Sequence, residues 1–267
     1  FVDRSTYGGN TSCVEVTEGD SQLIFDAGSG IRPLGLTMMG GPSGKGQGDV
    51  HILFSHTHWD HIMGFPFFVP SFIPGNKINF YGCHDGLKER MEYQHAFTHF
   101  PVDMNMMAST KTFTEIQAGD SITNGPFRIK TIKQHHPGDS FGYRVETPSG
   151  VFVYATDAEY TEVEWDERQQ FIEFFRDADV VIYDAAYSLV EAVEKLDWGH
   201  SSPFIGAEMA NDANVKKLVL FHHDPTSREA AVTEALAKAR RFYEQMPTKS
   251  SDVDIVTAHD NMILDIP

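Results

Sequence analysis

Short apolar runs bounded by turns recur along the whole chain. Runs of this kind, about five residues long, are typical of strands buried in a sheet. The pattern predicts strands at residues 21–25, 50–54, 77–81, 112–116, 127–132, 151–157, 180–184, 217–221, 254–257 and 262–266. Several of these strands end in, or run directly into, an Asp or a His. The polar residues at the strand ends are therefore candidates for a functional site.

Segments with helical spacing of apolar residues separate many of these strands. They predict helices at residues 31–38, 85–97, 163–176, 187–196, 203–212 and 226–244, and the start of another within 62–68. Thr226 and Glu229 have the spacing of a capping box for the last helix. Strands followed by strand–helix alternation predict an α/β fold with two sheets covered by outer helices. No internal repeat or linker is evident, which favours a single domain over residues 1–267.

Composition and charge narrow the class of protein. The 267 residues are 41% hydrophobic and 22% charged, which is ordinary for a globular domain with a full core. The formal net charge of −17 argues against docking on long nucleic acid or anionic lipid. No apolar run approaches the roughly 20 residues of a membrane span.

Two further features concern the compartment and the extent of the chain. Cys13 and Cys83 are the two cysteines, and they form no C-x-x-C pair. We therefore expect free thiols in a reducing, cytoplasmic compartment. The sequence begins at Phe1 without a Met, which leaves room for a further segment or domain upstream.

A cluster of metal-binding residue types follows directly after the predicted strand at 50–54. The sequence Ser-His-Thr-His-Trp-Asp-His holds three imidazoles and one carboxylate. These are the ligands that zinc and similar ions prefer. Because consecutive side chains point in different directions, His56 and His58 can face one ion while Asp60 and His61 face a second. The cluster lies after a strand, where α/β proteins usually carry their sites.

The His-x-His-x-Asp-His pattern resembles that of the metallo-β-lactamase fold superfamily of hydrolases. The stretches Gly-Gly-Asn-Thr-Ser-Cys-Val-Glu-Val and Leu-Ile-Phe-Asp-Ala-Gly-Ser-Gly-Ile-Arg resemble the opening hairpin and turn of that family. The resemblance covers nearly the whole chain, because the family's metal motifs recur in order. It implies an α/β fold, an αββα sandwich of two mixed β-sheets flanked by helices. It also implies that Asp26 braces a loop.

The same resemblance implies two divalent metal ions, with zinc or manganese favoured and iron compatible with the same ligands. In the family a His lies six residues before a Gly-Tyr pair, which selects His136 over His135. An Asp ends an apolar strand, here Asp157, and a His follows a late strand, here His222 with His223 as its rival. Asp157 would bridge the two ions. The other implied ligands are His56, His58 and His136 for the first ion and Asp60, His61 and His222 for the second.

Asp184 and His200 indicate which branch of the superfamily the chain resembles. Asp184 ends the strand in Val-Ile-Tyr-Asp-Ala-Ala-Tyr-Ser, and His200 lies in Trp-Gly-His-Ser-Ser. These residues resemble a carboxylate–histidine pair of the transfer-RNA 3′-processing nuclease branch. The resemblance implies that Asp184 orients His200, which would protonate the leaving oxygen. The chain departs from that branch in having Asp in place of Glu and in lacking an inserted basic arm. The structural alternative is a surface histidine and a helix-capping aspartate.

These features favour a metal-dependent phosphodiesterase for a small anionic substrate, with a cyclic nucleotide or cyclic phosphate as the best guess. Water deprotonated between the ions would attack phosphorus, and Asp60 could orient it. His-His-Pro-Gly-Asp-Ser-Phe-Gly-Tyr-Arg-Val and Phe-His-His-Asp-Pro resemble the phosphodiesterase-like branch that contains cyclic-phosphate-cleaving enzymes. The alternatives are hydrolysis of a carbon-centred ester, lactone, thioester or lactam, and a metal-binding output domain of a longer regulated protein. A diiron oxygen reductase is disfavoured, because that branch carries Glu at the position of His58.

Residues 84–112 hold many Met and aromatic side chains and show no clear periodicity. Surfaces of this composition adapt to partners. The segment is a candidate for a lid or for the contact face of a homodimer, and ordinary core packing is the alternative. His84, His95 and His99 are solitary and are expected to be structural, although His99 could line the cleft.

Overall fold

The computed structural model describes residues 6–160, 165–250 and 252–266. The chain divides into two compact units. The N-terminal unit is Asn10–Ala118, and the C-terminal unit is Gly119–Pro267 with Phe1–Gly9. Each unit carries one mixed β-sheet and its own helices, so the predicted class of two mixed sheets with flanking helices is confirmed. That the units form a single domain stays a prediction. In the ranges given above, no helix is long and apolar enough to cross a membrane.

The N-terminal unit carries a five-stranded sheet in which neighbouring strands are consecutive in the chain. Its strands are β1 (Val14–Glu18), β2 (Ser21–Phe25), β3 (Asp49–Phe54), β4 (Lys77–Gly82) and β5 (Thr110–Glu115). β1 and β2 are antiparallel, and the other pairs are parallel. Its helices are α1 (Ile31–Met38), α2 (Trp59–Ile62) and α3 (Leu87–Gln94). In the core, Phe80 stacks on Phe113 at 4.7 Å and meets Phe65 edge-on at 5.1 Å, between ring centroids.

The helix predicted to start within residues 62–68 is wrong. Instead α2 ends at Ile62, and two 3₁₀ turns follow at Phe65–Phe67 and Val69–Phe72. Pro66 and Pro70 lack the amide hydrogen that a continuing α-helix needs, and their rings would clash with the preceding turn. The apolar side chains of this segment therefore reach the core from short turns rather than from one helix face.

The C-terminal unit carries a seven-stranded sheet, again with neighbouring strands consecutive in the chain. Its strands are β6 (Ser121–Asn124), β7 (Phe127–Gln134), β8 (Ser140–Thr147), β9 (Gly150–Ala155), β10 (Val180–Asp184), β11 (Lys217–Phe221) and β12 (Asp254–Thr257). β6 to β9 form an antiparallel meander, and β9 to β12 are parallel. Its helices are α4 (Trp165–Phe175), α5 (Leu189–Glu194), α6 (Pro203–Asp212) and α7 (Glu229–Glu244). The first residues of the helix predicted at 163–176 lie outside the described part of the chain.

The parallel half of this sheet explains where polar residues collect. β10 is buried along its whole length, and β11 is buried at its three central positions, as expected for strands covered on both faces. Tyr183 of β10 stacks on Tyr160 at 5.5 Å and meets Phe175 edge-on. Because β9, β10 and β11 run in the same direction, the residues that follow them meet at one edge of the sheet.

Two predictions for the last part of the chain are wrong. The capping box does not form, because Asp224 Oδ1 accepts hydrogen bonds from the amide and hydroxyl of Thr226, and α7 begins only at Glu229. In a capping box the Thr226 amide would donate to the Glu229 side chain, whereas here Asp224 accepts from that amide. Residues 262–266 form no strand. Ile263 is 87% exposed and has no sheet face to pack against.

The side chain of Asn76 forms hydrogen bonds with three backbone groups of the N-terminal unit. Its replacement measures how much these bonds contribute to stability. Its buried amide donates to the carbonyls of Ser43 and Pro70 at 2.8 and 2.9 Å, and its Oδ1 accepts from the Gly48 amide at 2.8 Å. Asn76→Ala leaves these groups without partners, so we expect the free energy of unfolding in urea to fall by about 2–4 kcal/mol. The exposed Asn105→Ala is the control, with an expected change within about 0.5 kcal/mol. A loss below about 1 kcal/mol for Asn76→Ala would contradict this account.

Candidate metal centre

The first cluster of predicted ligands lies at the carboxyl end of β3 in the N-terminal unit. The chain leaves the strand at Ser55 and enters α2 with His58 as an extended N-cap residue. The ring centroids of His56 and His58 are 4.5 Å apart, and those of His56 and His61 are 4.2 Å apart. Asp60 Oδ2 lies 3.4 Å from His61 Nε2. The four predicted ligands of this motif therefore converge, with His56 and His61 buried and His58 exposed.

Asp26 fixes the orientation of this cluster. Its fully buried carboxylate accepts from the amide and hydroxyl of Ser55 at 2.8 and 2.7 Å and lies 2.8 Å from His61 Nδ1. A carboxylate at Nδ1 keeps the proton on that nitrogen and leaves Nε2 as the ligand atom. The bracing role predicted for Asp26 is confirmed.

Backbone contacts join the turn after β2 to α2. The Ala27 amide donates to the His61 carbonyl at 2.7 Å, and the Gly64 amide donates to the Ala27 carbonyl at 2.9 Å. A Cβ on Gly28 would lie 2.3 Å from the carbonyl oxygen of Asp60. The Asp-Ala-Gly sequence after β2 is therefore part of the scaffold that holds the histidines, and glycine is required for the close approach.

The second cluster lies at the carboxyl ends of β9, β10 and β11 in the C-terminal unit. Asp157, Asp184 and His222 follow or end these three strands, and His200 comes from the loop between α5 and α6. One ligand atom from each of the four lies within 4.8 Å of the others. His222 Nε2 is 3.4 Å from Asp157 Oδ1, and His136 Nε2 is 3.8 Å from Asp157 Oδ2. Asp157 thus stands between two imidazoles, the placement expected of a bridging ligand.

Asp184 anchors this cluster. Its fully buried carboxylate accepts from the amides of Asp157 and Ala186 at 3.0 Å and of Ser201 at 3.2 Å, and it lies 2.8 Å from His200 Nδ1. Burial lowers the pKa of His200, but the hydrogen bond and charge of Asp184 and the charge of Asp157 outweigh it. The pKa of His200 is therefore raised above its ordinary value. The predicted carboxylate–histidine pair is present and suited to carrying a proton.

A second backbone contact orients His136. Its Nδ1 lies 2.9 Å from the carbonyl of Gly199, so Nε2 is the nitrogen left to face Asp157. Gly199 has φ of 81°, and a Cβ there would lie 2.3 Å from His136 Nδ1. Sequence reasoning missed Gly199, although the Gly-His pair in which it stands was already singled out for His200. The signal was a glycine beside a predicted functional histidine.

The rival histidines lie elsewhere. His135 is about half exposed and contacts Glu167 at 2.7 Å. Burial and the charge of His222 lower the pKa of His223 to about 4, and its ring lies 6.4 Å from that of Tyr7. Of each adjacent pair, the structure places His136 and His222 against Asp157, and their role as metal ligands stays a prediction.

The seven predicted ligands thus form two sets, one in each unit. Both sets combine imidazole with carboxylate, and buried carboxylates or backbone carbonyls hold His61, His136 and His200 in place. This chemistry fits a divalent metal ion whose ligands are oriented by outer hydrogen bonds. The division of the ligands between two ions stays a prediction. The N-terminal set is His56, His58, Asp60 and His61, and the C-terminal set is His136, Asp157 and His222.

Comparisons with known proteins agree with a metal-binding site in this chain. Residues 22–223 match the model of the Beta-lactamase superfamily domain, so the chain belongs to that family. The probable metallo-hydrolase YhfI of Bacillus subtilis (strain 168) is 28% identical over 84% of this chain and 89% of its own. The crystal structure of YhfI has a TM-score of 0.67 at 21% identity, covering 96% of this chain and 92% of that one.

Two further relatives carry ribonuclease names. A ribonuclease Z of Thermoplasma acidophilum is 23% identical over 73% of this chain and 75% of its own. The short form of human tRNase Z has a TM-score of 0.67 at 20% identity, covering 99% of this chain and 95% of that one. The family and fold predicted from the sequence are confirmed, and the chain is a metal-dependent hydrolase. The identity of its metal stays a prediction.

Asp26→Asn tests the N-terminal cluster. The amide cannot hold the Nδ1 proton of His61 as a carboxylate does, so we expect zinc affinity to fall about 10–100-fold. Competition with a chromophoric chelator measures this affinity. Asp20→Asn, in the exposed β1–β2 turn, is the matched control and should leave the affinity unchanged. Equal affinities for the two variants would remove the orienting role of Asp26.

The Asp184–His200 pair predicts a pH dependence in the metal-free protein. The pKa of His200, followed by NMR of its ring protons, should lie above 6.5 and fall in Asp184→Asn. Because the folded pKa exceeds the unfolded one, the pair stabilises the fold below pH 6.5, and this contribution disappears as the pH rises through the folded pKa. A wild-type pKa at or below 6.5 would contradict the assignment. The exposed His259 provides an internal reference in the same spectra.

Proposed function

We propose that this hydrolase is a two-metal phosphodiesterase acting on a small phosphodiester. One observation carries the proposal: the fully buried Asp184 contacts the partly buried His200, and ligand atoms of both lie close to one of Asp157. An alkoxide that leaves phosphorus gains from a positioned general acid. The His200 ring has the proton affinity for that role, and its Nδ1 contact with Asp184 leaves Nε2 to donate.

The chain's own residues have distinct roles in the proposed reaction. Bound divalent ions would supply Lewis acidity and lower the pKa of a water to about 7. Asp60 orients the attacking water, and His200 donates its proton to the leaving oxygen. That proton donation is worth about 10²–10⁴-fold, and Asp184 holds the imidazole and stabilises its charge. The proposed ligands are His56, His58 and His136 for one ion, Asp60, His61 and His222 for the other, and Asp157 for both.

The proposed substrate is a cyclic nucleotide or a cyclic phosphate. Ribonucleases Z among the relatives support phosphoester hydrolysis. The net charge of −17 does not suit a long nucleic acid, whose affinity grows with the number of phosphates that Lys and Arg neutralise. A single diester needs no basic surface, because bound metal ions reverse the local field.

The first test is hydrolysis of bis(p-nitrophenyl) phosphate by protein loaded in turn with zinc and with manganese. We expect turnover with at least one metal and its loss by at least about 10²-fold in Asp157→Ala, which removes the proposed bridging ligand. Asp252→Ala, an exposed position near the end of the chain, serves as the control. Absence of turnover in protein shown to bind two metal ions would overturn the phosphodiesterase proposal. It would favour the carbon-centred esters instead.

The role of His200 is tested by the choice of leaving group. His200→Ala should slow phosphodiesters with alkyl leaving groups by about 10²–10⁴-fold. Aryl esters such as p-nitrophenyl should be slowed far less, because their leaving group needs no proton. Turnover numbers for matched methyl and p-nitrophenyl diesters measure the difference. Equal losses for both would remove the general-acid assignment.

A further inference from the structure

A cavity of about 370 Å³ lies beside His136 in the C-terminal unit. Its volume falls within the range of roughly 300–1,000 Å³ that small-molecule sites occupy. Carboxylates and imidazoles share its walls with the apolar side chains of Pro137 and Leu196. The lining residues are His135, His136, Pro137, Glu159, Leu196, Asp197 and Gly199.

Glu159 is the buried polar group of this cavity. Its side chain belongs to a residue only 8% exposed, and its Oε2 accepts from the Gly199 amide at 3.0 Å. Its Oε1 accepts from no group in the ranges that the structure describes. A carboxylate oxygen that accepts from no group of the protein keeps its lone pairs for the donors of a ligand.

Gly199 links this carboxylate to the metal-ligand set. Its amide donates to Glu159, and its carbonyl contacts His136 Nδ1 at 2.9 Å. One peptide segment therefore holds both the cavity's acceptor and a predicted ligand. A substrate whose phosphate lies at His136 would bring its organic substituent to the cavity.

The lining determines the chemistry of the ligand. It includes no Lys or Arg, and His135 is engaged by Glu167, so a second anion would find no partner. Within the described chain these carboxylates are not among the groups close enough to hold a metal ion. The walls instead offer hydrogen-bond acceptors beside the apolar faces of Pro137 and Leu196. That combination suits a group with hydroxyl donors on one side and C–H bonds on the other, as in a sugar ring.

We propose that this cavity receives the sugar portion of the substrate and that Glu159 accepts hydrogen bonds from its hydroxyls. The inference rests on the proposed phosphodiesterase function and specifies its substrate class, a phosphodiester of a hydroxylated sugar. Glu159 is then a residue that determines specificity. A carboxylate that accepts from ribose hydroxyls is a recurrent solution in nucleotide sites.

The test is calorimetric binding of two product-like monophosphates to the metal-loaded protein. Uridine 5′-monophosphate and its 2′,3′-dideoxy analogue share a phosphate and a base and differ in the hydroxyls. A hydrogen bond to a charged group changes affinity by about tenfold or more, so the wild type should prefer the hydroxylated ligand by about that factor. Glu159→Gln should reduce the ratio towards one. Both ligands carry the same phosphate, so a change in the affinity for phosphate does not alter the ratio of the two affinities measured on one preparation.

Glu234→Gln, on the exposed face of α7, is the matched control and should keep the wild-type ratio. The glutamine oxygen at position 159 can still accept from Gly199, so the variant should fold, and circular dichroism checks this. A wild-type ratio near one, or an unchanged ratio in Glu159→Gln, would overturn the proposed subsite. Phosphorylcholine bound more tightly than uridine monophosphate, with that advantage lost in Glu159→Gln, would overturn the hydroxyl assignment in favour of an ammonium ligand.

Measurements of hydrolysis and of ligand binding distinguish the phosphodiesterase proposal from the proposed sugar subsite. Hydrolysis of bis(p-nitrophenyl) phosphate without any hydroxyl dependence of binding would leave the phosphodiesterase proposal standing and remove the subsite. Hydroxyl-dependent binding in a protein that hydrolyses no phosphodiester would remove the proposed activity and retain the sugar-binding cavity.

Discussion

Two fully buried carboxylates, Asp26 and Asp184, are the constraint on which both ligand clusters depend. A carboxylate stays charged in the interior only when donors surround it. Asp26 finds its donors in Ser55 and His61, and Asp184 finds them in three amides and His200. The segment that carries the functional imidazole supplies Ser55 and His61 to Asp26, and it supplies His200 and Ser201 to Asp184. The contacts that offset the cost of the buried charge therefore also set the direction of the ring.

Backbone strain accompanies this arrangement at the strand ends. Asp26, Asp157 and His222 have φ of 59°, 52° and 57°, a region that costs an L-residue roughly 1–2 kcal/mol. Asp, Asn and His are the side chains that enter it most readily after glycine. A left-handed residue directly after a strand turns the chain sharply. Asp and His thus tolerate the backbone conformation of the turn and also supply a carboxylate or an imidazole. For this reason an Asp or a His after an apolar strand indicated the site in the sequence.

The sequence predicts those parts of the site that depend on local order. The apolar run before His56 and the spacing within the motif were sufficient, because neighbouring residues on one turn must converge. The contacts of Asp157 with His136 and His222, and of Asp184 with His200, join distant parts of the chain, and only the family resemblance implied them. Nothing local joins His136 to Gly199, 63 residues away, and only the spacing to a Gly-Tyr pair separated His136 from His135. The capping box at Thr226 failed for a related reason, since Asp224 competes for the same donor and propensity alone does not rank the two acceptors.

In the proposed function, the charge of the chain limits which phosphates reach the site. An excess of 17 negative charges opposes every phosphate that approaches, and only bound metal ions reverse the field locally. A long nucleic acid would meet this opposition along its whole backbone, whereas a single diester meets it once. Under the proposed function, selection among small diesters would then come from their uncharged substituents. A buried acceptor such as Glu159 suits that task, because hydroxyl donors are attracted by the same negative potential that repels further phosphates.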